Sequence, residues 1–186
     1  MSRIPRLRPD ELDERQRALY ADITGGPRAD GPQLFRLTDD DGGLEGPFNA
    51  MLLAPALGDA LQRLGTAIRY EGGLSGRARE LAILVVAAHW DSAFERHAHE
   101  AVGAHVGLTE AELAAVRTGG DPRLDDPVEA TVVRTARLLT ARADLTDEEY
   151  AAAERVLGRA GLFELTTLVG YYATLALHLR VFGVDR

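Results

Sequence analysis

Leu81-Ala82-Ile83-Leu84-Val85-Val86-Ala87-Ala88 is apolar on every side of a helix. It runs straight into the densest polar stretch of the chain, His89-Trp90-Asp91-Ser92-Ala93-Phe94-Glu95-Arg96-His97-Ala98-His99-Glu100. A helix with no polar face is buried in a core or an interface. Residues 76–91 are therefore predicted as a central helix, with Ser75 as its N-cap, and residues 92–106 as the next helix, closed by Gly107. Working outward toward the N-terminus, Pro55 suits the first turn of a helix reaching about Tyr70. Gly46-Pro47-Phe48-Asn49 opens a short helix that Ala54-Pro55 interrupts, and residues 28–46, rich in Gly, Asp and Pro, read as a long surface loop. Leu12, Leu19 and Ile23 predict a helix over 9–23, stopped by Gly25-Gly26-Pro27. Toward the C-terminus, Thr109 with Glu112 and Thr146 with Glu149 form capping boxes. Asp126-Pro127 starts a helix ending near Arg142, and the last helix covers about 161–182. No strand pattern competes, so the fold class is all-α.

Composition narrows the function. The 186 residues suit a single domain over 1–186, with a helix and long loop over 1–45 packed on a core over 46–186. The chain is 46% apolar and 27% charged, which excludes a disordered protein. The 21 basic and 29 acidic residues give a net charge of −8, and no basic stripe marks a nucleic-acid binder. Every basic residue is Arg; without Lys there is no Schiff-base chemistry. The absence of Cys excludes thiol redox, thiolate nucleophiles and Cys-ligated metals. No uninterrupted apolar run reaches the ~18 residues of a membrane helix, and the N-terminus lacks the apolar core of a signal peptide. The expectation is a cytoplasmic protein with no membrane partner.

Within the polar stretch, Ser92, Glu95 and His99 stand at i, i+3 and i+7 and share one helix stripe, whereas His97 points elsewhere. Glu95 and His99 at i, i+4 can bond directly, and a carboxylate beside an imidazole raises its pKa and orients its ring for acid–base work. The same spacing also describes an ordinary surface pair. His and carboxylates can ligate metals, yet the stretch is not His-Glu-x-x-His and a zinc site normally takes three protein ligands, so no metal is assigned. Glu80, near the start of the apolar helix, is a second candidate acid; its plain reading is an ion pair with Arg77 or Arg79. Trp90, Phe94, Phe48, Tyr171 and Tyr172 suit either a pocket wall or plain core. Glu80-Leu81-Ala82-Ile83-Leu84-Val85 is echoed by Glu164-Leu165-Thr166-Thr167-Leu168-Val169, the pattern of an internal half-repeat.

Arg79-Glu80-Leu81-x-x-Leu84-Val85, Trp90, Phe94-Glu95-x-x-x-His99-Glu100 and Gly107-Leu108-Thr109 together resemble the carboxymuconolactone decarboxylase family, which shares its fold with alkylhydroperoxidase D. Gly46-Pro47-Phe48-Asn49 and Glu164-Leu165-x-x-Leu168-Val169-Gly170-Tyr171-Tyr172 are similar to longer members, so the likeness covers about 44–185. It implies an alkylhydroperoxidase D-like helical fold with a core helical hairpin, assembled as a trimer or hexamer. In the peroxidase pattern a Glu on the first core helix precedes Cys-x-x-Cys-x-x-x-His on the second. Here the Glu is Glu80, the His is His99, and Ser92 and Glu95 stand at the two Cys positions. The resemblance thus implies a surviving proton-relay frame without a redox centre, and not a thiol peroxidase. In the decarboxylase branch an acidic residue replaces the second Cys, as Glu95 does, which implies a cofactor-free lyase acting on a carboxylated lactone. Authentic decarboxylases are shorter and lack most of what precedes Gly46.

The expectation is an acid–base set of Glu80, Glu95 and His99, with His89 or His97 as a further proton carrier and no cofactor or metal. Arg69 or Arg79 would clamp a substrate carboxylate, and Phe48, Asn49, Trp90, His89 and Tyr171 would complete the substrate-binding surface. The alternative is a non-catalytic small-molecule-binding or structural oligomer of the same fold. Convergence of Glu80, Glu95 and His99 on one solvent-reachable pocket separates the two.

Overall fold

The structure is a computed structural model that describes residues 2–26 and 34–184. Residues 28–33 of the predicted loop lie outside the described residues. Eight α-helices are described: α1 (Glu14–Gly25), α2 (Pro47–Met51), α3 (Pro55–Tyr70), α4 (Gly76–His89), α5 (Ala93–His105), α6 (Glu110–Arg117), α7 (Pro127–Arg142) and α8 (Asp147–Phe182). Among the described residues the only extended pairing is an isolated bridge between Thr38 and Leu44, so the all-α expectation holds.

The chain divides into two compact units, one of residues 1–71 with 175–186 and one of residues 72–174. In the first, α3 packs against both α1 and α2. The predicted helix over 9–23 is in fact two elements: a 3-10 turn, Pro9–Glu11, and α1. Asp13 forces the break, because its side chain accepts from the Gln16 N–H while Gln16 Oε1 accepts from the Asp13 N–H, a reciprocal cap that starts a new helix. The Tyr20 hydroxyl donates to the Gly42 carbonyl at 2.9 Å and ties the loop that returns to α2 onto α1.

Gly58 is where the helices of this unit come closest. A Cβ added there would lie 2.5 Å from the Met51 carbonyl oxygen and 2.7 Å from Leu19 Cδ2. Gly58→Ala is therefore expected to lower stability by about 1–3 kcal/mol through overpacking. By contrast Gly170→Ala, on open helix surface, should raise it by about 0.5–1 kcal/mol. Urea unfolding of both variants checks the pair.

The second unit is built around α4, which packs against α5, α6 and α7. Its start follows the predicted chemistry, since the Ser75 hydroxyl accepts from the Ala78 N–H at 3.1 Å. Leu81 through Ala87 are all buried, and the chain itself supplies that cover. Of the core and the interface that the sequence allowed for this helix, the chain supplies the core. Thr109–Glu112 and Asp126 cap α6 and α7 as expected. Arg77, read from the sequence as a partner for Glu80, instead bonds Glu129 at 2.8 Å and Glu112 at 2.7 Å, tying α4 to α7 and α6.

The last helix is longer than 161–182. It begins at Asp147 behind the Thr146–Glu149 cap and is broken at Gly158, whose φ of 68° and ψ of 169° only glycine adopts readily. By length and composition this helix reaches the level of a membrane span, a test that buried core helices also pass. Glu164, the echo of Glu80, does a different job: its carboxylate accepts from the N–H groups of Gly73 and Leu74, just ahead of α4.

Candidate functional site

The turn between α4 and α5 sets the site. The Ser92 N–H returns to the Ala87 carbonyl at 2.9 Å, and Asp91 takes a left-handed φ of 47°, a conformation that Asp tolerates better than most residues. This tight reversal brings α5 back along α4, so that residues 19 apart in sequence meet. His99 Nδ1 lies 2.6 Å from Glu80 Oε2, and His99 Nε2 lies 3.3 Å from Glu95 Oε2. The imidazole is thus held between two carboxylates, one from each arm of the hairpin. All three side chains are buried; Glu80 is 0%, Glu95 3% and His99 4% exposed. The Tyr172 ring meets His99 edge-on, with centroids 5.1 Å apart, and Tyr171 meets Tyr172 in the same way.

Burial alone would push the His99 pKa down. The charge of Glu80, the hydrogen bond to it, and then the bond to Glu95 outweigh that, and the net shift is upward. An imidazolium with Nδ1–H donating to Glu80 is the state these contacts favour.

Among the described residues, Ser92 Oγ at the α5 N-cap and Glu95 Oε1 on α5 are buried with no hydrogen-bond partner. Ser92 stands at the N-cap of α5, where serine ordinarily caps a backbone N–H, yet its hydroxyl makes no such bond. Buried groups left unpaired cost about 1–3 kcal/mol each. The two stand three residues apart on the α5 stripe that also carries His99.

Within this unit the other candidate histidines stand away from the relay. His89 is exposed at the end of α4, nine residues beyond Glu80 and so about 13 Å along the axis. It lines a separate cavity of about 350 Å³ with Arg117, Thr118, Arg137 and Thr140. His97 is exposed, and Trp90 is half-buried with its ring edge-on to His89 at 5.9 Å. Arg79 Nε is 3.9 Å from Glu80 Oε1, a loose contact. In the other unit Phe48 is buried, and Asn49 is buried with Nδ2 donating to the Pro5 carbonyl at 3.0 Å. Arg69 is half-buried with its guanidinium 5.8 Å from the Tyr70 ring centre. Among the described residues no group of three His, Cys, Asp or Glu side chains is arranged to hold a metal ion.

The α4–α5 hairpin thus carries a carboxylate–imidazole–carboxylate group and no cysteine. Residues 55–138 match the family model described as the carboxymuconolactone decarboxylase family. No curated protein matches the chain.

Proposed function

We propose that the chain is a cofactor-free acid–base enzyme of the decarboxylase-like branch, acting on a small carboxylated or lactone-type compound. The reading rests on the buried Glu80–His99–Glu95 relay, in which Glu95 Oε1 has no hydrogen-bond partner among the described residues. Glu80 fixes Nδ1 and favours the imidazolium. Nε2 faces Glu95, which carries the proton onward to the reacting atom. Loss of CO₂ from a β-keto-type acid leaves the bonding pair on the adjacent carbon as an enolate. A proton passed from His99 through Glu95 closes that carbon, and solvent restores the imidazolium. Lactone opening would use the same pair to activate water and protonate the departing alkoxide. We place the protein in the cytoplasm, as a trimer or hexamer. Leu57 and Leu64 support assembly, since they stand at i, i+7 on α3 and are 69% and 39% exposed.

Complete burial of the three groups favours a second reading, a non-catalytic member in which the ion-paired triad only holds the hairpin together. Purified protein incubated with β-keto acids and unsaturated γ-lactones, followed by mass spectrometry, separates the two. Turnover that Glu95→Gln abolishes supports the enzyme; no turnover of any compound in the set supports the structural reading.

A further inference from the structure

On the α7 side of the second unit, away from the relay residues in sequence and sharing none of them, lies a cavity of about 390 Å³. That volume lies within the range of small-molecule sites. Its lining includes Leu124, Val133 and Leu138 as an apolar part and three guanidinium groups, those of Arg123, Arg134 and Arg137. Among the described residues none of the three has a carboxylate partner within ion-pair distance. Arg134 reaches only the Thr131 hydroxyl at 3.4 Å, and Arg137 donates to the Gly120 carbonyl at 2.6 Å. Elsewhere arginines are neutralised, as Arg6, Arg77 and Arg117 are by close carboxylates. Three unpaired guanidiniums around one concavity, in a chain of net charge −8, form a local reversal of sign.

The backbone holds this arrangement in place. Arg123 adopts a left-handed φ of 52°, uncommon for a long side chain, and the Asp121 carboxylate stabilises it by accepting the Arg123 N–H at 2.9 Å. Asp121 is also the one acidic residue lining the cavity, so the lining carries a net charge of +2 from three Arg and one Asp. A dianion with three equivalent oxygens matches three forked donors better than a monocarboxylate does.

We propose that this cavity binds a phosphate monoester with a compact apolar body, at a site distinct from the acid–base relay. Guanidiniums take the phosphate and the Leu124–Leu138 side takes the apolar body. Phenyl phosphate is the probe, titrated into the full chain and followed by calorimetry and by NMR shifts. Saturable one-to-one binding is expected, weakened about tenfold or more by Arg134→Ala and by Arg123→Ala, and weakened by added salt. Arg155→Ala removes an exposed arginine that does not line the cavity and should leave binding unchanged. Inorganic phosphate and phthalate should each bind at least tenfold more weakly, the first for want of an apolar body and the second for want of the tetrahedral dianion. Equal binding of either one, equal weakening by Arg155→Ala, or no saturation by about 10 mM would overturn the proposal. The test reads binding alone, so its failure leaves the acid–base reading untouched.

Discussion

His99→Gln is expected to remove most of the turnover of whatever small acid or lactone the protein acts on, by roughly 10²–10⁴-fold. Gln keeps a donor near Glu80 but carries no proton that can be passed on. Glu95→Gln should lose nearly as much, because the imidazole would then have no acidic neighbour leading out of the core. The two residues act in one relay, so the double variant should be little worse than either single one. A structural pair would behave in the opposite way, with losses in melting temperature as large as those in rate and simply additive. Rates within about threefold of wild type in His99→Gln would remove it from the chemistry.

The second large effect falls on stability. Glu80 is fully buried and supplies the shorter of the two contacts to His99. Glu80→Ala should cost about 3–5 kcal/mol, since it leaves a buried imidazole without its main counter-charge. Glu80→Gln should cost less, because an amide oxygen can still accept from Nδ1–H. The cost also depends on pH. The folded pKa of His99 lies above the ordinary value of about 6.5, so the stability its charge contributes is fully present below that value. It is lost as pH rises through the folded pKa. The gap between wild type and Glu80→Ala should accordingly narrow on the alkaline side, measured by urea unfolding across pH 6–9. A gap that stayed constant across this range would mean that the histidine is neutral in the native protein.

Much of this was legible in local signals. The apolar run over 81–88 marks α4, and Ser75, Thr109 with Glu112, and Asp126 mark helix starts because a cap is written within four residues. The Glu95–His99 contact follows from helical spacing alone. The closer Glu80–His99 contact does not, since 19 residues and a tight turn separate the partners; only the family likeness placed those two residues in one frame. An all-apolar helix says that it is covered, not by what, and here α5, α6 and α7 of the same chain surround it. Asp13 with Gln16 was a readable cap that splits the first helix. Arg77 shows the limit of near-neighbour reasoning, because its true partners, Glu112 and Glu129, lie 35 and 52 residues away. The guanidinium cluster was similarly hidden, as Arg123 joins Arg134 and Arg137 only once the loop before α7 folds back.

The relay itself is tested most directly by following the His99 ring nitrogens through a pH titration by NMR, in wild type, Glu80→Gln and Glu95→Gln. The account predicts a wild-type imidazolium that persists above the ordinary titration range near pH 6.5, with both ring N–H groups protected from exchange. Each variant should lower that titration, Glu80→Gln more than Glu95→Gln, following the shorter contact. A His99 that titrates at or below pH 6.5 in wild type, and does not move in either variant, would contradict it.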